Sequence, residues 1–179
     1  HESEYDPHFW LDFSNDMKVV DAIAAAFSEM DPANAHHYIA NAGAYKKKLE
    51  MLDEEYANGL SKCRKGTIIT GGHNAFSYMA ERYGFNIVSA YGISPDSEPT
   101  PKRIKGIIDI AGEHGIKYIY FESLVSPRTA QAISADAGLE TMVLNPAANL
   151  KKEEFKGGAT FISLMEENLI NLRIGLECE

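Results

Sequence analysis

The chain has 179 residues, of which 45% are hydrophobic: enough for one domain with a real core, or one domain plus an appended segment, and too few for two full lobes. With 17 Lys and Arg against 26 Asp and Glu, the formal charge of −9 argues against a phosphate-binding surface and favours cationic ligands. No apolar run approaches the roughly 20 residues that span a bilayer, and 24% charged with 10% aromatic residues is a folding composition.

The sequence starts at His1 without initiator Met or signal segment, so the expectation is a processed product or an excised fragment. Residues 1–13, HESEYDPHFWLDF, combine two His, two Glu, two Asp and four aromatics, with Pro7 blocking helix. A short amphipathic helix follows over 14–30, with Ser14 as its expected N-cap and Val19, Val20, Ile23, Ala26 and Phe27 at helical spacing. Asp31-Pro32 then starts a second helix, the carboxylate capping and the proline at the first helical position. Tyr38, Ala42, Tyr45, Leu49, Leu52, Tyr56, Leu60 and Cys63 recur three and four apart, which predicts one helix of about eight turns and about 45 Å. That is long for a compact domain and suits a spine joining two lobes.

After Arg64-Lys65-Gly66 strands and helices alternate. Strands are predicted at Thr67–Thr70, Asn86–Ala90, Tyr118–Glu122 and Thr141–Leu144, and helices over Asn74–Arg82, Pro101–His114, Pro127–Ala137 and Thr160–Leu176. Gly84, Gly115 and Gly138 stand where helix C-caps belong. The fold class is therefore α/β, a four-stranded parallel sheet flanked by helices and preceded by the long helix. The chain divides into 1–30, a helix 31–64 and an α/β unit 65–179, whose ligand sites belong beyond the carboxyl ends of the strands.

Four loops lie there. The first, Thr70-Gly71-Gly72-His73-Asn74, places His73 at the predicted start of a helix, either as a metal ligand or as a packed histidine. It is neither a GxGxxG nor a Walker loop. The second, Gly92 to Pro101, is acidic and stiffened by three prolines, a structural wall. The third ends in Glu122 and the fourth in Asn145-Pro146; both residues are weaker candidates, as a solvated or capping carboxylate and a turn-forming amide. Upstream, Asp6-Pro7-His8-Phe9-Trp10 sets His8 between a proline and two aromatics, after an acidic, metal-attracting stretch of His1, Glu2, Glu4 and Asp6. His36 and His37 are expected on different faces of the long helix and His114 at a helix end; none of the three is assigned a role. Cys63 and Cys178 are too far apart for a CxxC motif. They are either two buried thiols or one long-range bridge contributing about 4–5 kcal/mol. No HExxH, GxSxG or basic patch with interleaved aromatics is present, so neither an enzyme nor a nucleic-acid partner has motif support.

In order, Asp6-Pro7-His8-Phe9-Trp10-Leu11-Asp12, Gly72-His73-Asn74-Ala75-Phe76-Ser77-Tyr78 with Tyr83-Gly84, Gly92-Ile93-Ser94-Pro95 through Glu98-Pro99, and Phe121-Glu122 resemble the zinc- and manganese-specific solute-binding proteins of bacterial ABC importers, the cluster A-I family. The resemblance covers essentially the whole chain, Asp31-Pro32-Ala33-Asn34 and Met165-Glu166-Glu167-Asn168-Leu169 included. It implies two α/β lobes joined by a spine helix, with the metal in the cleft. On that reading residues 1–30 are the last strip of the N-terminal lobe, 31–64 the spine and 65–179 the C-terminal lobe. His8 and His73 are then metal ligands, with Glu122 and Asn145 as weak contributors or supports behind them.

Many members carry a carboxylate after the fourth strand, where this chain has Asn145 followed by Ala147 and Ala148. The metal site is thus expected to be incomplete in this chain, with weak zinc binding. The family also implies a Cys63–Cys178 bridge, an extracytoplasmic location and an ABC permease as partner. An imidazole at position 73 points to zinc rather than manganese, which prefers a carboxylate. Exposed apolar surface on helix 14–30 and on the spine is expected to favour a homodimer. The alternatives are a manganese-specific member of the family, a small α/β enzyme with His73 as general base and Glu122 as its partner, and an adhesin.

Overall fold

The structure is a computed structural model that describes residues 5–92, 99–122 and 127–179. A 3-10 turn at Phe9–Leu11 leads into α1 (Phe13–Met30), and a second at Pro32–Asn34 into α2 (Ala35–Gly59). The rest alternates as β1 (Thr67–Thr70), α3 (Ser77–Tyr83), β2 (Asn86–Ser89), α4 (Pro101–His114), β3 (Tyr118–Phe121), α5 (Arg128–Ala137) and β4 (Glu140–Val143). Then come α6 (Lys152–Lys156) and α7 (Phe161–Gly175). The four strands form one parallel sheet in the order β2-β1-β3-β4, the predicted fold class.

Period-two alternation sends Ile68 and Ile69 to opposite faces of the sheet. Ile68 joins Leu52, Tyr56, Met79, Tyr120, Met165 and Leu172 in the core under α2, α3 and α7. Ile69 joins Ile107, Ala111, Ile119, Ala130 and Ile133 under α4 and α5. Gly84, Gly115 and Gly138 end α3, α4 and α5 with φ of 78°, 56° and 67°, the left-handed caps the sequence predicts.

Several boundaries differ from the sequence reading. The cap of α1 is Asp12, whose carboxylate accepts from Ser14 N, so Ser14 lies inside the helix rather than capping it. The α1 stripe is not buried: Val19, Ile23, Phe27 and Met30 are exposed, and Ala24 is the helix's buried contact beyond Phe13. Asp31 turns its carboxylate to the Asn34 amide and the Tyr38 hydroxyl, and a 3-10 turn precedes the helix proper.

Helix α2, the predicted long helix, is 25 residues, about 37 Å, and ends at Gly59 instead of continuing to Cys63. Beyond it the chain pairs with the C-terminus: Arg64 N bonds Glu177 O, Lys65 N bonds Leu176 O, Glu179 N bonds Lys62 O, and Cys63 is disulfide-bonded to Cys178. The C-terminal half of α2 is buried through Leu49, Leu52 and Tyr56, whose hydroxyl donates to Met165 O at 2.7 Å. Among the described residues no helix is long and apolar enough to cross a membrane.

Candidate metal centre

In a parallel sheet of order 2-1-3-4, the connections leave β1 and β3 toward opposite edges, and the gap between their carboxyl ends is where a ligand has access. His73 follows β1 and Glu122 follows β3, so both stand at that gap. His73 Nδ1 and Glu122 Oε1 are 2.6 Å apart, and Glu122 is 8% exposed. Glu122 is thus a buried partner of His73, not a solvated or capping carboxylate.

Two glycines make this approach possible. A Cβ on Gly72 would collide with Glu122 Oε1, and one on Gly71 would meet the backbone of Ala130 on α5. His73 sits four residues before α3, not at a helix start, because Asn74 N is tied to Gly92 O at 2.9 Å and holds residues 74–76 out of the helix.

The N-terminal segment supplies the second imidazole. His8 is 7% exposed, and its Nδ1 lies 2.7 Å from Asp6 Oδ1, which also accepts from His8 N at 3.0 Å. Trp10 meets the His8 ring edge-on at 5.3 Å and donates its Nε1–H to Pro146 O at 2.8 Å, fastening the segment to the loop after β4. Tyr78 OH reaches Asp6 O at 3.4 Å.

The two rings face each other through their remaining nitrogens, with His8 Nε2 3.1 Å from His73 Nε2. Each Nδ1 points at a carboxylate oxygen, so the hydrogen-bond pattern assigns the proton of each neutral ring to Nδ1. That leaves two Nε2 lone pairs directed at one another, an arrangement that needs a shared proton or cation between them. Two imidazoles on one tetrahedral zinc, with Zn–N of about 2.0–2.1 Å, have their nitrogens about 3.3–3.4 Å apart. The observed gap is within a few tenths of an ångström of that edge. Carboxylates behind both rings are the arrangement that fixes tautomer and orientation in metal-bound histidines.

Among the described residues no group of three or more His, Cys, Asp and Glu gathers to hold a metal. Asn145 makes the turn: its Oδ1 accepts from Ala147 N, and its backbone exchanges bonds with the Asn168 side chain. His1, Glu2 and Glu4, and Ile93 to Glu98 of the acidic loop, lie outside the described residues. His36 and His37 do not diverge as expected; their ring centroids are 3.9 Å apart and tilted by 41° on exposed α2, remote in sequence from the pair. Two participants escaped the sequence reading. Asp6 counted only as part of an acidic tail, although an Asp two residues before a His was a usable signal; the Trp10 bond to Pro146 had none.

A carboxylate-backed imidazole pair at the topological switch of a parallel sheet is chemistry suited to a transition-metal ion. The chain belongs to the zinc-uptake complex component A, periplasmic (ZnuA) family, whose profile matches residues 1–175. It is similar to the zinc-binding protein AdcA of Streptococcus pyogenes, with 38% identity over 174 residues, 97% of this chain and 34% of that protein. It is also similar to the high-affinity zinc uptake system protein ZnuA of Bacillus subtilis, with 37% identity over 96% of this chain and 53% of that protein.

Among solved structures, the Zn(II)-bound ZnuA-like domain of Streptococcus pneumoniae AdcA superposes with a TM-score of 0.83 at 38% identity, covering 98% of this chain and 66% of that one. The laminin-binding protein Lbp of S. pyogenes gives 0.82 at 35%, over 96% and 65%. The chain therefore spans between about a third and a half of the two curated relatives named here. The family is one of solute-binding proteins rather than enzymes.

Proposed function

We propose that this chain is the metal-holding part of a protein that captures zinc outside the cytoplasm and delivers it to an ABC permease without chemical turnover. The observation that carries this reading is the pair of Nε2 atoms 3.1 Å apart, each ring backed by its own carboxylate. His8 and His73 are the ligands, Glu122 and Asp6 hold them from behind, and Asn145 supports the loop. Residues 1–30 belong to a first lobe, 31–64 to the spine and 65–179 to the second lobe. Zinc-binding and zinc-uptake names among the relatives, one of them a lipoprotein, support both the cargo and the extracytoplasmic location.

Two imidazole donors favour zinc over manganese, since nitrogen donors follow the Irving–Williams order and manganese prefers oxygen. The enzyme alternative is disfavoured because the His73 nitrogen that would act as base faces His8 rather than an open cleft. With two imidazoles, the 179-residue chain binds zinc weakly and completes the four-fold shell with water. Its exposed Ile23, Phe27, Met30 and Ile39 favour a homodimer at high concentration, read by sedimentation.

The decisive experiment is zinc calorimetry on this chain and on its His8→Ala, His73→Ala double variant. Loss of the binding isotherm in the variant is expected. Unchanged affinity would overturn the ligand assignment.

A further inference from the structure

Arg82, in the last turn of α3, touches two carboxylates from two other parts of the chain. Its Nε and Nη2 donate side by side to Asp53 on the spine helix, at 2.7 and 2.5 Å. Its Nη1 lies 3.2 Å from Asp12 Oδ1. Asp12 closes the turn that carries His8 and caps α1 through Ser14 N. Tyr83 OH donates to the same Asp53, and Phe13, Tyr56 and Tyr83 pack edge-to-face or tilted beside the cluster. The side chains are partly shielded, 29% exposed for Arg82, 20% for Asp12 and 22% for Asp53. The guanidinium and its tyrosine neighbour hold the Asp53 carboxyl below its ordinary range.

The chain makes a closed frame at this place. One arm runs from His8 to Asp12; the other runs from His73 through buried Ala75, Phe76 and Met79 to Arg82. The arms meet at the imidazole pair at one end and at the Arg82–Asp12 ion pair at the other. The spine enters the frame through Asp53. A lysine, a single compact charge, cannot present one flat edge to Asp53 and a further N–H to Asp12.

From this geometry we infer that Arg82 is a positioning residue for the metal centre, setting the spacing of His8 against His73 by clamping the His8 segment to α3 and to the spine. This rests on the reading of His8 and His73 as zinc ligands. Removing the clamp keeps both imidazoles in the chain but lets the His8 arm drift, which weakens a site whose donors must sit within about half an ångström of their productive positions.

The test is zinc affinity of the 179-residue chain by competition with a chromophoric chelator, for Arg82→Gln, Arg82→Lys and Asp12→Asn, each first shown to be folded by circular dichroism. Asp12→Asn keeps an oxygen for the α1 cap while removing the ion pair, so it serves if Arg82→Gln does not fold. About tenfold weaker binding is expected for Arg82→Gln and Asp12→Asn, with a smaller loss for Arg82→Lys. Either carboxylate or guanidinium substitution should have no further effect in a His8→Ala background, because the clamp acts through His8. Wild-type affinity in Arg82→Gln and Asp12→Asn would overturn the inference. So would an equal loss in the His8→Ala background, the mark of a general effect on the fold. If His8→Ala itself leaves zinc affinity unchanged, the ligand assignment falls and the positioning role with it, a result distinct from the other two.

Discussion

The disulfide makes a quantitative demand on stability. Cys63 and Cys178 are 115 positions apart, so breaking the bond releases almost two thirds of the chain as free loop in the unfolded ensemble. The loop-entropy relation for 115 residues gives about −16 cal/mol/K, or about 5 kcal/mol at 25 °C. The folded junction has other ties that survive reduction. Three backbone bonds pair residues 62–65 with 176–179, and Glu177 meets Lys117 at 2.7 Å and Arg64 at 3.6 Å. Those ion pairs are largely exposed and contribute little by themselves. Reduction should therefore leave the native fold unchanged by circular dichroism while removing a third or more of a typical total stability of about 5–15 kcal/mol. Urea titrations of the metal-free oxidised and reduced chains provide the assay. With an m-value of about 2 kcal/mol/M, the midpoint should fall by about 2.5 M at unchanged baseline signal. A fall of less than about 0.5 M would refute the reasoning, showing that the ends stay close in the reduced unfolded chain.

The other predictions concern the site and one buried acid. Glu122→Gln keeps the shape of the side chain but loses the charge behind His73, and zinc affinity by calorimetry should drop about 10–100-fold; an unchanged value would show that the carboxylate does not orient the ring. Gly72→Ala pushes a methyl group into the movable Glu122 carboxylate, so it should weaken zinc binding at nearly unchanged melting temperature. Gly71→Ala meets the α5 backbone and should cost about 1–3 kcal/mol in denaturation, with the reverse ranking as the contrary result. Burial, with the Asp12 charge adding, pushes Asp16 up to about 7, and its Oδ2 is buried without a partner among the described residues. The folded pKa lies above the unfolded value, so this group's stabilisation is full below about pH 4 and is lost as pH rises toward 7. Asp16→Asn should raise the urea midpoint at pH 8, by about 1 kcal/mol of stability once solvent screening is allowed for, and change it little at pH 4. Equal wild-type and variant midpoints at pH 8 would contradict the assigned burial.

Much of the architecture is written in short-range signals. Gly84, Gly115 and Gly138 mark three helix ends because only a residue without Cβ takes the left-handed conformation readily, and that requirement is local. Thr100-Pro101 starts α4 at the predicted residue because the threonine side chain accepts from Arg103 N and the proline lacks an N–H at a position that needs none. Where long-range bonds compete, local reading shifted: Gly92 O draws Asn74 N out of helix, and the C-terminal strand-like pairing ends α2 early. The apolar stripe of α1 is correctly periodic, but periodicity does not say what covers it, and Val19, Ile23 and Phe27 are exposed.

For the site, the sequence by itself determined which chemistry is on offer: an imidazole on a glycine-hinged loop after the first strand, another in Asp6-Pro7-His8, and a carboxylate at the tip of the third strand. The tertiary structure alone decided that these stand side by side. Strand order 2-1-3-4 sets Glu122 beside His73, and the Trp10 bond to Pro146 brings His8 across 65 residues to face it. The reason is physical. Helix caps and periodicity are fixed by neighbours within a turn or two, whereas the direction of a ring nitrogen depends on which carboxylate stands behind it, and that follows only from the folded crossing of distant segments.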